Sequence, residues 1–582
     1  MLTGKVDLKI KVEFEFRERS VLSFLQSGYE QTLDYIMSRS LFFIFLLAAA
    51  LNTAAQNSRY DVIVYGGTPS GVIAAVAAAR NHAKVLLIEQ TGHVGGLSTS
   101  GINTAESEHM INNAITGIAR EFYINMGLNF TEDYFKTFRN GENSDFRKGD
   151  PAFFFESHIA EKEFLALLEK AGVETIYKKY LSKSTVADRR VTAITLDDGK
   201  SYEATMFIDA SYEGDLMAAS KVSYTWGREA IAQYNESYAG IRLYDDTLKA
   251  RTVDRKGKLL PYFSENKGLV QGAADNRVMN YNFRPTMTKD PKNMRPVTAP
   301  ANYDPSRYQL LADYLKDRPN TRLNDLVGIY GRGNGKWEFN NQQNSTISLG
   351  LFGGNVDYPD ATQERRRQIF QDHKDYTIGY LFFLGHDKSV PKALQKEMLS
   401  YGYAADEFKD NENFPYYLYI REARRMQGDF VMTQHDVLTN REKSDAVALG
   451  SHWIDSHHVQ RVAISRTSFT NEGRIWHKVT QPFEISYKVI LPKASEVRNL
   501  LVPVCASLSH VAFCTYRLES TWMQMGHVAG TAAALAIKYR KDPSTLPVET
   551  LQYKLRTEGM ILKIAELGPF DDYVNEKVQD DN

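Results

Sequence analysis

Cysteine is nearly absent: 582 residues contain two, Cys505 and Cys514. That rules out a disulfide framework and a cysteine-rich metal site, and with no CxxC or HExxH pattern no metal ligand set is visible. The two thiols could bridge in an oxidising compartment or sit as two small buried groups. An excess of either charge is also lacking, since 70 basic side chains face 71 acidic ones for a formal net charge of −1. A nucleic-acid partner and a membrane-surface partner are therefore not expected. No internal repeat, low-complexity tract or heptad run stands out. The prominent apolar run, Leu41 to Leu51, is too short for a bilayer span, so no transmembrane segment is expected in the mature protein.

That run has the length of a signal-peptide core. Arg39 precedes it, and Thr53-Ala54-Ala55 offers a small-residue cleavage site before Gln56. The reading is a leader over 37–55 that starts at Met37 and is cleaved near Ala55, an extension over 1–36 ahead of it, and export to the periplasm or beyond. A chain this long exceeds one compact core, so more than one domain is expected.

What is present begins with Tyr60 to Glu89, YDVIVYGGTPSGVIAAVAAARNHAKVLLIE. Val62 to Tyr65 reads as a buried parallel strand, Gly66 to Gly71 as a turn, Val72 to Arg80 as a small-residue helix and Lys84 to Ile88 as the next strand. This is the order of a dinucleotide-binding βαβ unit. Gly66, Gly67 and Gly71 let a pyrophosphate approach bare backbone N–H groups at a helix N-terminus. Glu89, eighteen residues after Gly71, is placed to accept hydrogen bonds from ribose hydroxyls, with Gln90 beside it. The second fingerprint glycine is replaced by Thr68, and Pro69 and Ser70 open the helix.

Downstream, GHVGGLSTSG carries Gly95, Gly96, Leu97 and Ser98, a segment able to thread beneath a flat cofactor. Ser157 to Lys170 has helical spacing, and Val173 to Tyr177 follows as a strand. Val191 to Leu196 and Lys200 to Met206 form a hairpin about Asp197-Asp198-Gly199. From about Trp226 to Asn440 the chain is rich in Tyr, Asn, Arg and Pro, with a helix near Glu364 to Leu384, and reads as an inserted α+β substrate domain. Met523 to Lys538 is a second small-residue helix. The expected fold is α/β: a discontinuous Rossmann-like domain over 59–225 and 441–540, an insert over 226–440, and a helical extension over 541–582.

VYGGTPSGVIAA, GHVGGLSTSG, FIDASYEGDLMAAS, YIREARRMQGD, NLLVPV and GHVAGTAAALA together resemble the FAD-dependent oxidoreductases with a glutathione-reductase-type FAD domain, and within them a secreted bacterial group labelled xanthan-lyase-like. The resemblance implies FAD as cofactor. It implies Gly66, Gly67, Thr68, Pro69, Ser70 and Gly71 at the pyrophosphate, Glu89 at the ribose, and Gly95 to Ser98 along the flavin. Ala210 and Gly214 would form a second FAD contact, and Gly526 would lie at the pyrimidine end. It supplies no elimination chemistry. From the company that group keeps, a sugar or sugar acid is the expected substrate, processed by hydride transfer with flavin N5.

A base is needed for that chemistry. His510 is the first candidate and His457 with His458 the second; each could equally be a packed core histidine. Arg421, Arg424 and Arg425, at i, i+3 and i+4 on an expected helix, would share a face suited to a carboxylate or paired with acidic neighbours. Tyr416, Tyr417, Tyr419, Trp337 and Trp453 could stack on sugar rings or fill the core, while Lys336 and Arg284 suggest no role. Gly331 to Gly335 reads as a loop and not a nicotinamide site, which leaves the electron acceptor unknown. Alternatives are a flavin monooxygenase or halogenase, and a non-catalytic glycan-binding surface protein.

Overall fold

The computed structural model describes residues 59–103, 106–107, 110–130, 149–243, 247–331, 333–342, 345 and 347–569. The expected extension at 1–36, the leader at 37–55 and the last residues of the C-terminal extension lie outside them.

The Val62–Tyr65 run sits in β1 (Arg59–Tyr65), which pairs in parallel with β2 (Val85–Ile88), Ile63 opposite Leu86. Both strands are buried on their two faces, which explains their unbroken apolar sequence. Between them runs α1 (Pro69–Arg80). Two further helices, α2 (Gly117–Asn129) and α3 (Ser157–Ala171), precede β3 (Glu174–Ile176), which pairs in parallel with β2. The expected hairpin is formed as part of an antiparallel run of β4 (Leu181–Ala187), β5 (Arg190–Leu196) and β6 (Ser201–Asp209).

β6 joins the two parts of the sheet. Its length pairs in parallel with β1, Val64 opposite Ile208, and its first residues pair with β5. Its last residues pair with a strand from far downstream, Leu500–Leu501, with Phe207 opposite Leu500. The sheet therefore draws on both ends of the chain, as a discontinuous Rossmann-like domain requires.

A second, five-stranded antiparallel sheet is built from β7 (Thr286–Thr288), β8 (Met294–Arg295), β9 (Val327–Gly331), β10 (Lys336–Asn341) and β11 (Gly402–Ala404), in the order β8-β11-β7-β10-β9. Gly331 ends β9, and Gly333 to Gly335 lie in the turn to β10, with Gly333 and Gly335 at positive φ. Helix α4 (Gln363–His386) covers the expected helical stretch and starts at Thr362, whose hydroxyl accepts from the Arg365 N–H at 3.2 Å.

Both expected boundaries of the insert are crossed by β-pairing. Arg425–Met426 pairs with Tyr224–Thr225, and Gln460–Ser465 pairs with Phe263–Glu265. The middle region is thus stitched to its flanks rather than hung from them.

Near the end of the chain come α5 (His510–Tyr516), α6 (Glu519–Tyr539) and α7 (Val548–Thr557). Helix α6 packs on α1 backbone to backbone: a Cβ on Gly526 would lie 2.1 Å from the Ser70 carbonyl oxygen, and one on Gly530 2.1 Å from that of Ala74. The alanines of α1 and the glycines of α6 are small for this reason. Cys505 and Cys514 are free and buried. No helix among the described residues is long and apolar enough to cross a membrane.

Candidate functional site

The turn after β1 is held from both sides. The Thr68 hydroxyl caps α1 by accepting from the Gly71 N–H at 3.2 Å and donates to the Ala210 carbonyl at 2.7 Å, so it ties the turn to the end of β6. This explains a threonine where the second fingerprint glycine is usual. Gly66 has φ of 100°, and a Cβ on Gly71 would lie 1.8 Å from the Gly66 carbonyl oxygen. Neither position admits a side chain.

Glu89 is buried at the end of β2. Its carboxylate accepts from the Gly67 N–H at 2.7 Å, the Thr91 N–H at 2.5 Å and the Tyr417 hydroxyl. Burial raises its pKa, and these donors pull it back. Gln90 instead donates to the Tyr65 hydroxyl at 2.7 Å, which engages its amide with β1. Gly95 and Gly96 both take positive φ, and a Cβ on Gly96 would lie 2.3 Å from the Tyr212 hydroxyl oxygen. That hydroxyl receives the Leu97 N–H at 3.0 Å and donates to Glu519 at 2.8 Å. Ala210 closes β6 by donating to the Tyr65 carbonyl, and Gly214 turns the chain with φ of 69°.

Helix α6 begins at Glu519, four residues ahead of the expected Met523. Gly526 lies two turns in and serves helix packing against Ser70, and the positive end of the helix belongs to Glu519 to Trp522. Burial pushes the Glu519 carboxyl up to about 8. Its Oε2, the hydroxyl oxygens of Ser70, Ser98 and Thr521, and the Trp522 indole nitrogen are buried without a hydrogen-bond partner among the described residues. Unpaired buried polar atoms are costly; Ser70 and Ser98 fall on segments expected to meet FAD, and Glu519, Thr521 and Trp522 form the first turn of α6. The bare turn at 66–71 suits a pyrophosphate, Glu89 a ribose, and the orphan groups of Ser98, Glu519, Thr521 and Trp522 a polar, ring-bearing ligand. The residues fit FAD.

The expected helix carrying Arg421, Arg424 and Arg425 is not formed. Residues 418–424 form neither helix nor strand, and Arg425 enters a short strand. Tertiary bonds override helical propensity here. The Tyr417 N–H goes to Ser100 and the Tyr419 N–H to the Asn282 carbonyl. The three buried guanidinium groups reach different partners. Arg424 pairs with Asp215 and Asp360, and Arg425 with Glu229 and Glu422. Arg421 donates to the Asn280 carbonyl at 2.6 Å and to Asn282 Oδ1 at 2.5 Å, with its guanidinium carbon 4.1 Å from the centre of the Tyr419 ring.

Tyr419 is the hub of a buried polar cluster. Its hydroxyl donates to Glu106 and accepts from Arg517 at 2.7 Å. Arg284 pairs with Glu106 at 2.9 Å and with Glu338, and Arg517 pairs with Asp455 at 3.1 Å. His457 belongs to the same cluster: Nδ1 is 3.4 Å from the Asn341 amide nitrogen, and Nε2 is 3.7 Å from Asp455. Burial, then Arg421, Arg517 and Arg284, hold it well below the usual histidine range, so its imidazole is neutral. His458 is pushed down to about 3 by burial and sits against Phe352, 5.5 Å between ring centres.

His510 lies elsewhere, at the start of α5. Its Nδ1 is 2.9 Å from Glu422, and its backbone N–H donates to Glu229 at 2.9 Å. Burial alone would lower its pKa, but Glu422 outweighs it and the ring is pushed up to about 10. In this arrangement His510 faces Glu422 as a buried ion-pair partner.

The sequence reading singled out Arg421 and His457 but passed over Glu106, Arg517, Asn280, Tyr212 and Glu519, and gave Arg284 no role. The local signal for two of these was Arg517-Leu518-Glu519, charges directly ahead of a small-residue helix. Glu156, His158 and Glu407 bring potential ligand atoms within 4.8 Å of one another, but the Lys336 ammonium sits among them, 3.0 Å from Glu407.

Residues 61–555 match the family model described as FAD dependent oxidoreductase. No curated protein sequence matches the chain. Among solved structures, a geranylgeranyl bacteriochlorophyll reductase-like protein from Thermoplasma acidophilum is 11% identical over 86% of this chain and 84% of its own, with a TM-score of 0.33. The anhydrotetracycline hydroxylase OxyS from Streptomyces rimosus is 16% identical over 30% of this chain and 36% of its own, so that only about a third of its length is spanned, with a TM-score of 0.20. Thioredoxin reductase from Streptococcus pyogenes is 25% identical over 26% of this chain and 35% of its own, with a TM-score of 0.15. The match to the family model spans most of the chain and agrees with the glycine turn, Glu89 and the two-ended parallel sheet: the chain belongs to the FAD dependent oxidoreductase family, and its cofactor is FAD.

Proposed function

We propose that this oxidoreductase acts on a small hydroxylated organic substrate, a sugar or sugar acid, by hydride transfer, and that His457 takes the proton. The observation that carries the reading is a neutral buried imidazole near Arg421, Arg517 and Arg284, with Asp455 3.7 Å from its Nε2. Arg517 lies two residues ahead of Glu519, the first residue of α6, and this nearness to the segments that fit FAD supports the reading.

Bound FAD supplies the two-electron acceptor for a hydride. The substrate C–H bond breaks with its electron pair leaving as hydride, and the hydroxyl proton goes to His457 Nδ1, so a carbonyl is formed. Asp455, 3.7 Å from Nε2, faces the imidazolium that results. Tyr419 and the Asn280, Asn282 and Asn341 amides supply neutral polar groups of the kind that pair with hydroxyls. The leader-like run at 41–51 supports export, and with export an electron acceptor other than soluble nicotinamide.

The test is the visible spectrum of the purified protein during anaerobic addition of sugars, aldonates and uronates. A band near 450 nm that bleaches with one member establishes hydride transfer to the flavin and the substrate class. A flavin-loaded protein that no member bleaches sinks the sugar reading.

A further inference from the structure

Most buried arginines of this molecule are matched by acids. Arg425 meets Glu229 and Glu422, Arg228 meets Asp275 and Glu472, Arg366 meets Asp215, and Arg284 and Arg517 are held by Glu106, Glu338 and Asp455. Arg421 departs from this pattern. It is fully buried, yet among the described residues no carboxylate lies within ion-pair distance of it; a carbonyl, an amide oxygen and the face of Tyr419 are what it touches. An uncompensated buried cation is expensive to maintain. The cost shows in its acidity: burial pushes Arg421 down to about 9, Tyr419 and Glu106 offset this in part, and Arg517 and Arg284 deepen it.

Two orphan atoms accompany this missing charge. Arg421 Nε, a donor, and Asn280 Oδ1, an acceptor, are both buried without a hydrogen-bond partner among the described residues. They belong to residues already joined, since Arg421 donates to the Asn280 carbonyl at 2.6 Å. The Asn280 amide nitrogen is committed to the His458 carbonyl at 2.5 Å, which fixes Oδ1 as the available acceptor. A cationic donor on one residue and a neutral acceptor on the residue bonded to it complement a carboxylate and a hydroxyl of one molecule.

We propose that Arg421 and Asn280 set substrate specificity: Arg421 Nε anchors a carboxylate and Asn280 Oδ1 accepts a neighbouring hydroxyl, so the substrate is a hydroxycarboxylic acid, of which an aldonate or uronate is the sugar-derived form. This rests on the oxidoreductase reading above and narrows it. Arg424 and Arg425, already neutralised, take no part in recognition.

The test uses the FAD-loaded protein with sodium gluconate and sodium glucuronate as probes, and glucose and sorbitol as their neutral counterparts. Two readouts are taken, the melting temperature and the anaerobic bleaching of the flavin band. An acid is expected to raise the melting temperature and bleach the flavin at concentrations roughly a hundredfold below any neutral counterpart that does either. Arg421→Lys should weaken the acid about a hundredfold while retaining FAD and the wild-type melting temperature. Asn280→Ala should weaken gluconate about tenfold but leave hexanoate, a carboxylate without hydroxyls, unchanged. If Arg421→Lys does not fold, the acid-to-neutral ratio in the wild type and the Asn280→Ala result decide.

Bleaching by neutral sugars at the same concentrations overturns the anchor and leaves the oxidoreductase reading standing. Stabilisation by gluconate without bleaching by any probe overturns that reading for this substrate class and leaves the anchor standing. If neither acid shifts either readout, the anchor is wrong.

Discussion

Arg421 and Arg425 are four residues apart and both are fully buried, yet they sit in opposite electrostatic situations. Around Arg425 every charge is answered: Glu422 and Glu229 meet the guanidinium, and His510, held as a cation, closes the set. Around Arg421 the partners are neutral, and the nearby histidine, His457, is held without its proton. A closed network of this kind fixes structure, because nothing in it asks for a ligand. An open one keeps a cation and a base available in a water-poor interior, which is the equipment of a binding and catalytic site.

The contrast is broken most severely by removing an acid from the closed network. Glu422→Ala strands Arg425 and His510 and should cost about 3–5 kcal/mol, read as a large fall in melting temperature or loss of the folded protein. If the fall is negligible, the network is not structural. Gly526→Ala inserts a methyl group against the Ser70 carbonyl, where the available gap is 2.1 Å, and should cost about 1–3 kcal/mol in thermal unfolding together with a lowered FAD content. Thr68→Val removes the cap on α1 and the bond to Ala210, and should cost about 1 kcal/mol in the same measurement.

The smallest effect is in pH dependence. The folded-state pKa of His510 is raised to about 10, above the 6.5 of an unperturbed histidine, so its contribution to stability is complete below about pH 6.5 and is lost as pH rises toward 10. Glu519, raised to about 8, adds a loss of stability between about pH 4.5 and 8 that a change at His510 leaves in place. The difference between the melting curves of the wild type and His510→Gln should therefore shrink from pH 6.5 to 10. A difference that does not change with pH would mean that the ring is not protonated in the folded protein.

Much of the fold was legible because its signals are local. The apolar run at Val62 to Tyr65 has one structural use, a strand buried on both faces. The alanines of α1 announce a close-packed helix, and Asp198-Gly199 announces a hairpin turn. The glycines are ambiguous as markers, because two jobs share one residue type. Gly71 clears the turn, whereas Gly526 clears a helix contact, and nothing in MQMGHVAG separates the two. Arg421, Arg424 and Arg425 carried helical spacing but are fixed by partners up to 211 residues away, with Arg424 meeting the Glu213 carbonyl. Long-range pairing of this kind leaves no periodicity. For the same reason nothing around His510 announces its contact with Glu422, 88 residues earlier.

The most direct measurement is the anaerobic rate of flavin bleaching, per flavin-loaded molecule, in His457→Gln beside His510→Gln with the panel member that bleaches the wild type. His457→Gln should lose on the order of 10²–10⁴ in rate with its FAD content intact, as expected for removal of a general base, while His510→Gln should lose stability but stay within a few-fold of the wild-type rate. The reverse pattern, a slow His510→Gln and a fast His457→Gln, would contradict the assignment of the open cluster around Arg421 as the catalytic site.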